Sequence, residues 1–148
     1  MRDAHRITQE MLLVIGRASG HEARRTYAKD LPADAVWLRW DPIGHDLPLV
    51  AFEVAVSEGP KALRGSITTL EQISPALGVL VLHDSELRRT LARKGLDPAT
   101  IANRIEGRRR IAQEAASTSR QRIEIWTDAK VQHRYSMATG NRTFLRAA

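Results

Sequence analysis

Two carboxylates, Asp34 and Glu53, are the side chains of this sequence whose types and spacing best suit joint chemistry. Glu53 lies inside the apolar run 49–56, where the two-residue period of a strand places it on the face opposite Phe52 and Val54. Burying an unpaired charge is costly, so Glu53 needs a cation, a metal ion or water at a sheet edge. Asp34 stands just before the preceding strand-like run and is the natural second carboxylate.

The spacing of two predicted strands favours Asp34 over Asp41 as the partner of Glu53. The runs 35–40 and 49–56 are rich in strand-forming residues and predict an antiparallel hairpin with a loose loop. Asp41 lies at the loop end, whereas Glu53 lies ~13 Å from that end at ~3.3 Å per residue. Asp34 lies at the end remote from the loop. Two converging carboxylates form a hard, all-oxygen site that suits Mg²⁺ or Mn²⁺.

Several titratable residues fit a structural role as well as a chemical one. An exposed position on an antiparallel edge strand would also account for Glu53. Glu10 and Glu71, each on a predicted helix, either add a carboxylate to the site or simply face solvent. None of the five histidines shows the spacing of metal ligands, and none is assigned to a metal. The chain has no cysteine, which excludes disulfides, thiolate nucleophiles and cysteine-based metal sites.

Positive charge is concentrated in the second half of the chain. The net charge is +6 overall, and it divides into −1 over residues 1–82 and +7 over residues 83–148. Lys and Arg bind nucleic acids by releasing counterions from phosphates, so this asymmetry indicates a polyanionic partner. A basic face that only aids solubility is the alternative. The residues expected to contact phosphates are Arg88, Arg89, Arg104, Arg108, Arg109 and Arg110.

The elements that must position these residues mix helices and strands. Apolar periodicity predicts helices over 7–18, 61–73, 85–94 and about 98–116, and strands over 24–28, 35–40, 49–56, 78–82 and 122–127. Ser85 is the predicted cap of the third helix, and the tail past Ser136 shows little pattern. A helix that crosses between two strands makes them parallel. The 148 residues therefore predict one α/β domain with a mixed sheet flanked by helices.

The surroundings of Asp34 and Glu53 resemble the core of the PD-(D/E)xK nuclease superfamily, the restriction-endonuclease-like fold. The resemblance covers roughly residues 7–82: Pro32-Ala33-Asp34, then Glu53 in its apolar strand, then a helix and a further strand, in the order αβββαβ. One alanine separates the proline from the aspartate, which departs from the family pattern. The resemblance implies that Asp34 and Glu53 hold Mg²⁺ or Mn²⁺ for phosphodiester hydrolysis.

The lysine of the family motif is replaced here by Ala55, two positions after Glu53. Two interpretations follow. Either Lys61, at the start of the next helix, takes over the catalytic role of that lysine, or the domain is a catalytically inactive nuclease fold that serves as a nucleic-acid-binding or assembly subunit. A protein-interaction module whose charge is incidental is a third possibility.

The resemblance implies a metal-dependent endonuclease that acts on duplex DNA. One small domain cuts one strand, so we expect a homodimer. The single domain would span residues 1–148, with its core at about 7–82 and a basic extension of helix and strand at about 83–136. No apolar run approaches the ~20 residues that cross a bilayer, and the first six residues do not resemble a signal peptide. We therefore expect a cytoplasmic protein without a membrane partner.

Overall fold

The computed structural model describes residues 2–40, 42–44 and 46–140. Asp41 and His45, in the loop of the predicted hairpin, lie outside the described residues. The elements in chain order are α1 (Arg2–Ala18), β1 (Glu22–Ala28), β2 (Leu31–Trp40), β3 (Asp46–Ala55), α2 (Pro60–Ile73), β4 (Leu77–Leu82), α3 (Asp84–Arg93), α4 (Pro98–Ser117), β5 (Ile123–Thr127) and α5 (Asp128–Thr139). Among the helices of the described ranges, none is long and apolar enough to span a membrane.

The strands form one mixed sheet in the order β1-β2-β3-β4-β5. The first three strands pair antiparallel, whereas β3, β4 and β5 pair parallel. The predicted hairpin of β2 with β3 and the parallel pairing of β3 with β4 are confirmed, the latter because α2 crosses between them. The register of β1 against β2 shifts on both sides of Thr26, which makes this edge of the sheet irregular. The α/β class predicted from the sequence is confirmed.

Helices cover both faces of the sheet. α1 and α5 lie on one face, over a core that includes Leu12, Trp37, Phe52, Val79, Trp126 and Val131. α2 and α4 lie on the other, over Leu63, Ile67, Leu80, Leu82 and Ala112. Gly16 lets α1 approach the sheet closely, because a Cβ at this position would lie 2.5 Å from the indole of Trp37. That indole nitrogen donates to the Leu12 carbonyl at 2.8 Å and fixes the helix in place.

One local prediction is wrong, and one helix was not predicted. His83, rather than Ser85, caps α3, because its Nδ1 accepts the backbone N–H of Glu86 and the helix begins one residue earlier than expected. The chain beyond the last strand also forms a helix, α5, which the sequence did not predict. The buried positions of α5 include Asp128 and Ser136 besides Val131, so its apolar periodicity is weak.

Candidate active site

Asp34 and Glu53 lie side by side at the edge of the sheet where β3 ends. The backbone N–H of Asp34 donates to Glu53 Oε2 at 3.1 Å, and the backbone N–H of Val54 donates to Asp34 Oδ2 at 2.7 Å. Because β2 and β3 are antiparallel, the start of β2 faces the end of β3. The structure therefore brings together the two carboxylates that the hairpin spacing paired.

The two carboxyl groups perturb each other strongly. The pKa of Glu53 is raised from 4.5 to about 9, first by burial and then by the neighbouring charge of Asp34 and a hydrogen bond between the two side chains. The carboxylate of Glu58 adds a smaller increase to the pKa. Glu53 is therefore protonated at neutral pH and holds its proton beside the Asp34 carboxylate. This pair is a candidate functional site because such pKa perturbations concentrate at active sites.

The first turns of α1 complete the surroundings of Asp34. His5 Nε2 lies 3.1 Å from Asp34 Oδ1, and its side chain is 34% exposed. Gln9, one helical turn later, donates its side-chain amide to the Asp34 carbonyl at 2.7 Å. No histidine was predicted at the site from the sequence, so the contact of His5 with Asp34 was missed. The signal is the i,i+4 spacing of His5 and Gln9, which places two polar groups on one helix face. The helix predicted over 7–18 stopped short of His5, whereas the observed helix begins at Arg2.

The donor set fits a hard divalent cation that keeps much of its water. Mg²⁺ in proteins is often held by one or two carboxylates with water in its remaining positions, which Asp34 and Glu53 can provide. Within residues 2–40, 42–44 and 46–140, no cluster of three or more His, Asp or Glu side chains is arranged to hold a metal ion. The fit is therefore to a hydrated ion rather than to one enclosed by protein ligands. Binding would displace the proton of Glu53, because ligands must be deprotonated.

The position of the motif lysine is apolar in the structure as well as in the sequence. Ala55 is 1% exposed and belongs to the core between the sheet and α2, with Leu63 and Leu80. Lys61 is exposed in the first turn of α2 and has no ion-pair partner in the described part of the chain. This lysine is thus free to meet an anion, but the structure does not tie it to the carboxylate pair.

The other two candidate carboxylates lie on helix surfaces. Glu10 is 50% exposed and pairs with Arg6 at 3.3 Å and with Arg25 at 3.8 Å. Glu71 is an exposed residue of α2. Neither has a contact with Asp34 or Glu53 among the interactions of the described residues, so both fit a role at the surface.

The six predicted phosphate-binding arginines differ in exposure. Arg108 is 7% exposed, and its guanidinium donates to the Val56 carbonyl at 2.6 Å and to Asp84 at 3.0 Å. Arg108 is therefore a buried residue that links α4 to Val56, just after β3, and to Asp84, the first residue of α3. This corrects its expected role as a surface contact. Arg109 also pairs with Asp84, at 3.3 Å, and Arg89 pairs with Glu86 at 3.2 Å. The remaining three are exposed and have no ion-pair partner in the described ranges: Arg88, Arg104 and Arg110.

Comparisons with protein-family models, with curated proteins and with solved structures found no match for this chain. The chemistry of the site must therefore be inferred from its own geometry. Two adjacent carboxyl groups with one proton between them can bind a hard cation or exchange a proton with a bound molecule. His5 adds a partly exposed group that can accept or donate a proton at the same place.

Proposed function

We propose that this protein is a metal-dependent endonuclease that hydrolyses phosphodiester bonds of DNA, with Asp34 and Glu53 as its metal ligands. The observation that carries the proposal is the pairing of these two carboxyl groups at one end of the β2–β3 hairpin, where each accepts a neighbouring backbone N–H and a hydrogen bond links the two side chains. Keeping Glu53 beside Asp34 costs folding free energy, and such a cost is common at sites retained for function. The order α1-β1-β2-β3-α2-β4 also agrees with the restriction-endonuclease-like core.

Each residue near Asp34 and Glu53 would have a separate role in hydrolysis. The backbone N–H groups of Asp34 and Val54 hold the two carboxylates in fixed orientations. His5, beside Asp34, is placed to take a proton from the attacking water. Lys61, if its flexible side chain turns toward the phosphate, would offset the charge that develops there. A bound Mg²⁺ or Mn²⁺ would polarise the phosphoryl oxygen and lower the pKa of its coordinated water.

Substrate binding would rely on the exposed arginines of α3 and α4. Arg88, Arg104 and Arg110 have no competing ion pair in the described residues, so their charges are available to phosphates. Arg89 is 61% exposed and would have to exchange Glu86 for a phosphate. These contacts hold the backbone of a duplex without reading its sequence. A homodimer would supply the second site that cleavage of both strands requires.

A second candidate function is a nuclease fold that binds DNA without cutting it. The burial of Ala55 favours this candidate, because the position of the motif lysine supplies no cation. In this case Arg88, Arg104 and Arg110 would still bind the phosphates of DNA. The carboxylate pair would no longer serve catalysis. The two candidates differ in one measurable property, which is hydrolysis that depends on a divalent cation.

The deciding experiment incubates supercoiled plasmid and single-stranded DNA with the protein and Mg²⁺ or Mn²⁺. We expect cleavage that falls by more than about 100-fold in Asp34→Asn and in Glu53→Gln, because each removes a metal ligand. Glu114→Gln, an exposed residue of α4, is the matched control and should cleave normally. Cleavage that survives both site substitutions would refute the proposal. Absence of cleavage, together with DNA binding that weakens steeply with salt, would favour the second candidate.

A further inference from the structure

A cleft opens between α2, α3 and α4, and Glu58, which lines one end of it, is close enough to Glu53 for its charge to act on that carboxyl group. The cleft encloses about 340 Å³, which is within the range of about 300–1,000 Å³ typical of small-molecule sites. Ser57 and Glu58, which follow β3 directly, form one end of the cleft. The Glu58 carboxylate turns back to accept the backbone N–H of Val56 at 2.5 Å. The cleft therefore begins only a few residues beyond Glu53.

The cleft has an apolar wall and a cationic rim. The apolar wall consists of Leu63, Leu87, Leu91 and Ile111. Asn103 and Arg104 supply an amide and a guanidinium from one side of α4. The first turn of α2, with no side-chain cap and no acidic residue, faces the same space through Gly59 and Pro60. A ligand that is flat and apolar at one end and anionic at the other would match both surfaces.

Arg108 places further positive charge at the cleft. Its side chain is 6% exposed, and two of its nitrogens bind the Val56 carbonyl and Asp84. Its third nitrogen, Nε, is buried and has no hydrogen-bond partner in the part of the chain that the structure describes. Asp84 is shared with Arg109, so one carboxylate faces two guanidiniums. The carboxylates of Asp84 and Glu58 offset two of the three guanidiniums at this place, those of Arg104, Arg108 and Arg109. The remaining positive charge favours an anion nearby.

Gly107 keeps the cleft open. It lies in the middle of α4, where glycine makes a helix less stable than alanine would. A Cβ at Gly107 would meet no atom within 4 Å, so neither packing nor a close backbone approach requires glycine there. The residue lines the cleft on the same helix face as Asn103 and Ile111. A larger side chain at this position would extend into the space a ligand needs.

We propose that this cleft binds one unpaired nucleotide of the substrate strand, next to the phosphodiester that is cut. This inference rests on the proposed nuclease function. The base would pack against the apolar side chains of Leu87 and Leu91, Asn103 would hydrogen-bond to its edge, and Arg104 would hold its phosphate. A base stacked within a duplex cannot enter, so the cleft favours single strands, frayed ends or a base that has left the stack.

The test measures binding in EDTA, so that it does not depend on catalysis. The fluorescence anisotropy of a labelled single-stranded oligonucleotide and of its duplex is followed for the protein and for two Gly107 variants. Gly107→Leu fills the cleft and should weaken single-strand binding by about 10-fold or more, with duplex binding within about twofold. Gly107→Ala is the matched control, since it improves the helix but leaves most of the cleft open.

A second variant, at the protein surface, tests the same inference if Gly107→Leu does not fold. Asn103→Ala should weaken binding of the single strand by about fivefold and should have less effect on a strand of abasic units, because Asn103 would contact the base and not the phosphate. Equal single-strand binding by folded Gly107→Leu and by the original protein would overturn the inference. Tighter binding of free deoxynucleoside monophosphate than of the strand would also overturn it, because the cleft would then be a site for a free nucleotide.

The two proposals fail in different ways. If plasmid cleavage depends on Asp34 but Gly107→Leu changes no binding, the nuclease proposal stands and the nucleotide cleft is refuted. If no cleavage occurs but Gly107→Leu selectively loses single-strand binding, the cleft stands as a nucleic-acid site in a protein that does not cut.

Discussion

Replacing Glu53 with glutamine should stabilise the protein when no divalent cation is present. The pKa of Glu53 in the folded protein is about 9, compared with an ordinary value of 4.5. Below pH 4.5 the group is protonated in both states and has no effect on stability. As the pH rises, the unfolded chain releases this proton while the folded protein retains it, so the free energy of unfolding falls. Glutamine stays neutral at every pH and therefore escapes this loss.

The size of the effect follows from the pKa difference. Each unit of pKa corresponds to about 1.4 kcal/mol, so the loss in the original protein reaches about 3 kcal/mol at pH 7 and about 5 kcal/mol at pH 8.5. At pH 5 it is only about 1 kcal/mol. These are upper limits, because water reaches part of the Glu53 side chain. Glutamine can keep both local contacts, accepting the Asp34 N–H and donating to the Asp34 carboxylate.

Urea unfolding in EDTA at these three pH values provides the measurement, with the fluorescence of the buried Trp37 and Trp126 as the signal. The gain in the free energy of unfolding from Glu53→Gln should increase as the pH rises. Glu114→Gln should have the same free energy of unfolding as the original protein at each pH. Added Mg²⁺ should stabilise the original protein and have little effect on Glu53→Gln. A gain that stays constant or shrinks with rising pH would refute the reasoning about the shared proton.

Three further outcomes test the roles of individual contacts. Arg108→Met should lower the free energy of unfolding by about 3 kcal/mol in urea titrations, because it leaves a buried carboxylate with one weaker partner, while Arg110→Gln should change it by less than about 0.5 kcal/mol. Gly16→Ala should cost about 1–3 kcal/mol in the same assay, since the new methyl group would overlap Trp37 and force the helix away from the sheet. The double variant Arg88→Gln with Arg110→Gln should reduce the slope of log binding constant against log salt by about 2 for duplex DNA, and an unchanged slope would exclude these residues from phosphate contact.

The meeting of Asp34 and Glu53 was predictable because it depends only on strand geometry. Once residues 35–40 and 49–56 are taken as an antiparallel hairpin, the rise per residue brings Asp34 to Glu53 and leaves Asp41 at the far end. The parallel pairing of β3 with β4 was predictable in the same way, because a helix crosses between the two strands. Such predictions succeed where the strands can be recognised from the sequence and the connection between them determines whether they pair parallel or antiparallel.

The rest of the site depends on contacts that no local pattern encodes. His5 reaches Asp34 because α1 docks at one position on the sheet, and this docking is set by the closeness of Gly16 to Trp37 rather than by residues near His5. Arg108 has the sequence features of a surface residue in a basic helix. Its burial requires acceptors that lie 52 and 24 residues away in the chain, at Val56 and Asp84.

The irregular pairing of β1 limits how copies of this protein can assemble. A regular edge strand offers a row of unpaired N–H and C=O groups that a second chain can extend. Here the register slips on both sides of Thr26, and Arg24 and Arg25 add charge to the same short strand. Bulges and charges of this kind discourage edge-to-edge joining. Two copies that meet would therefore not join edge to edge at β1, and the sheet would end at this strand in each of them.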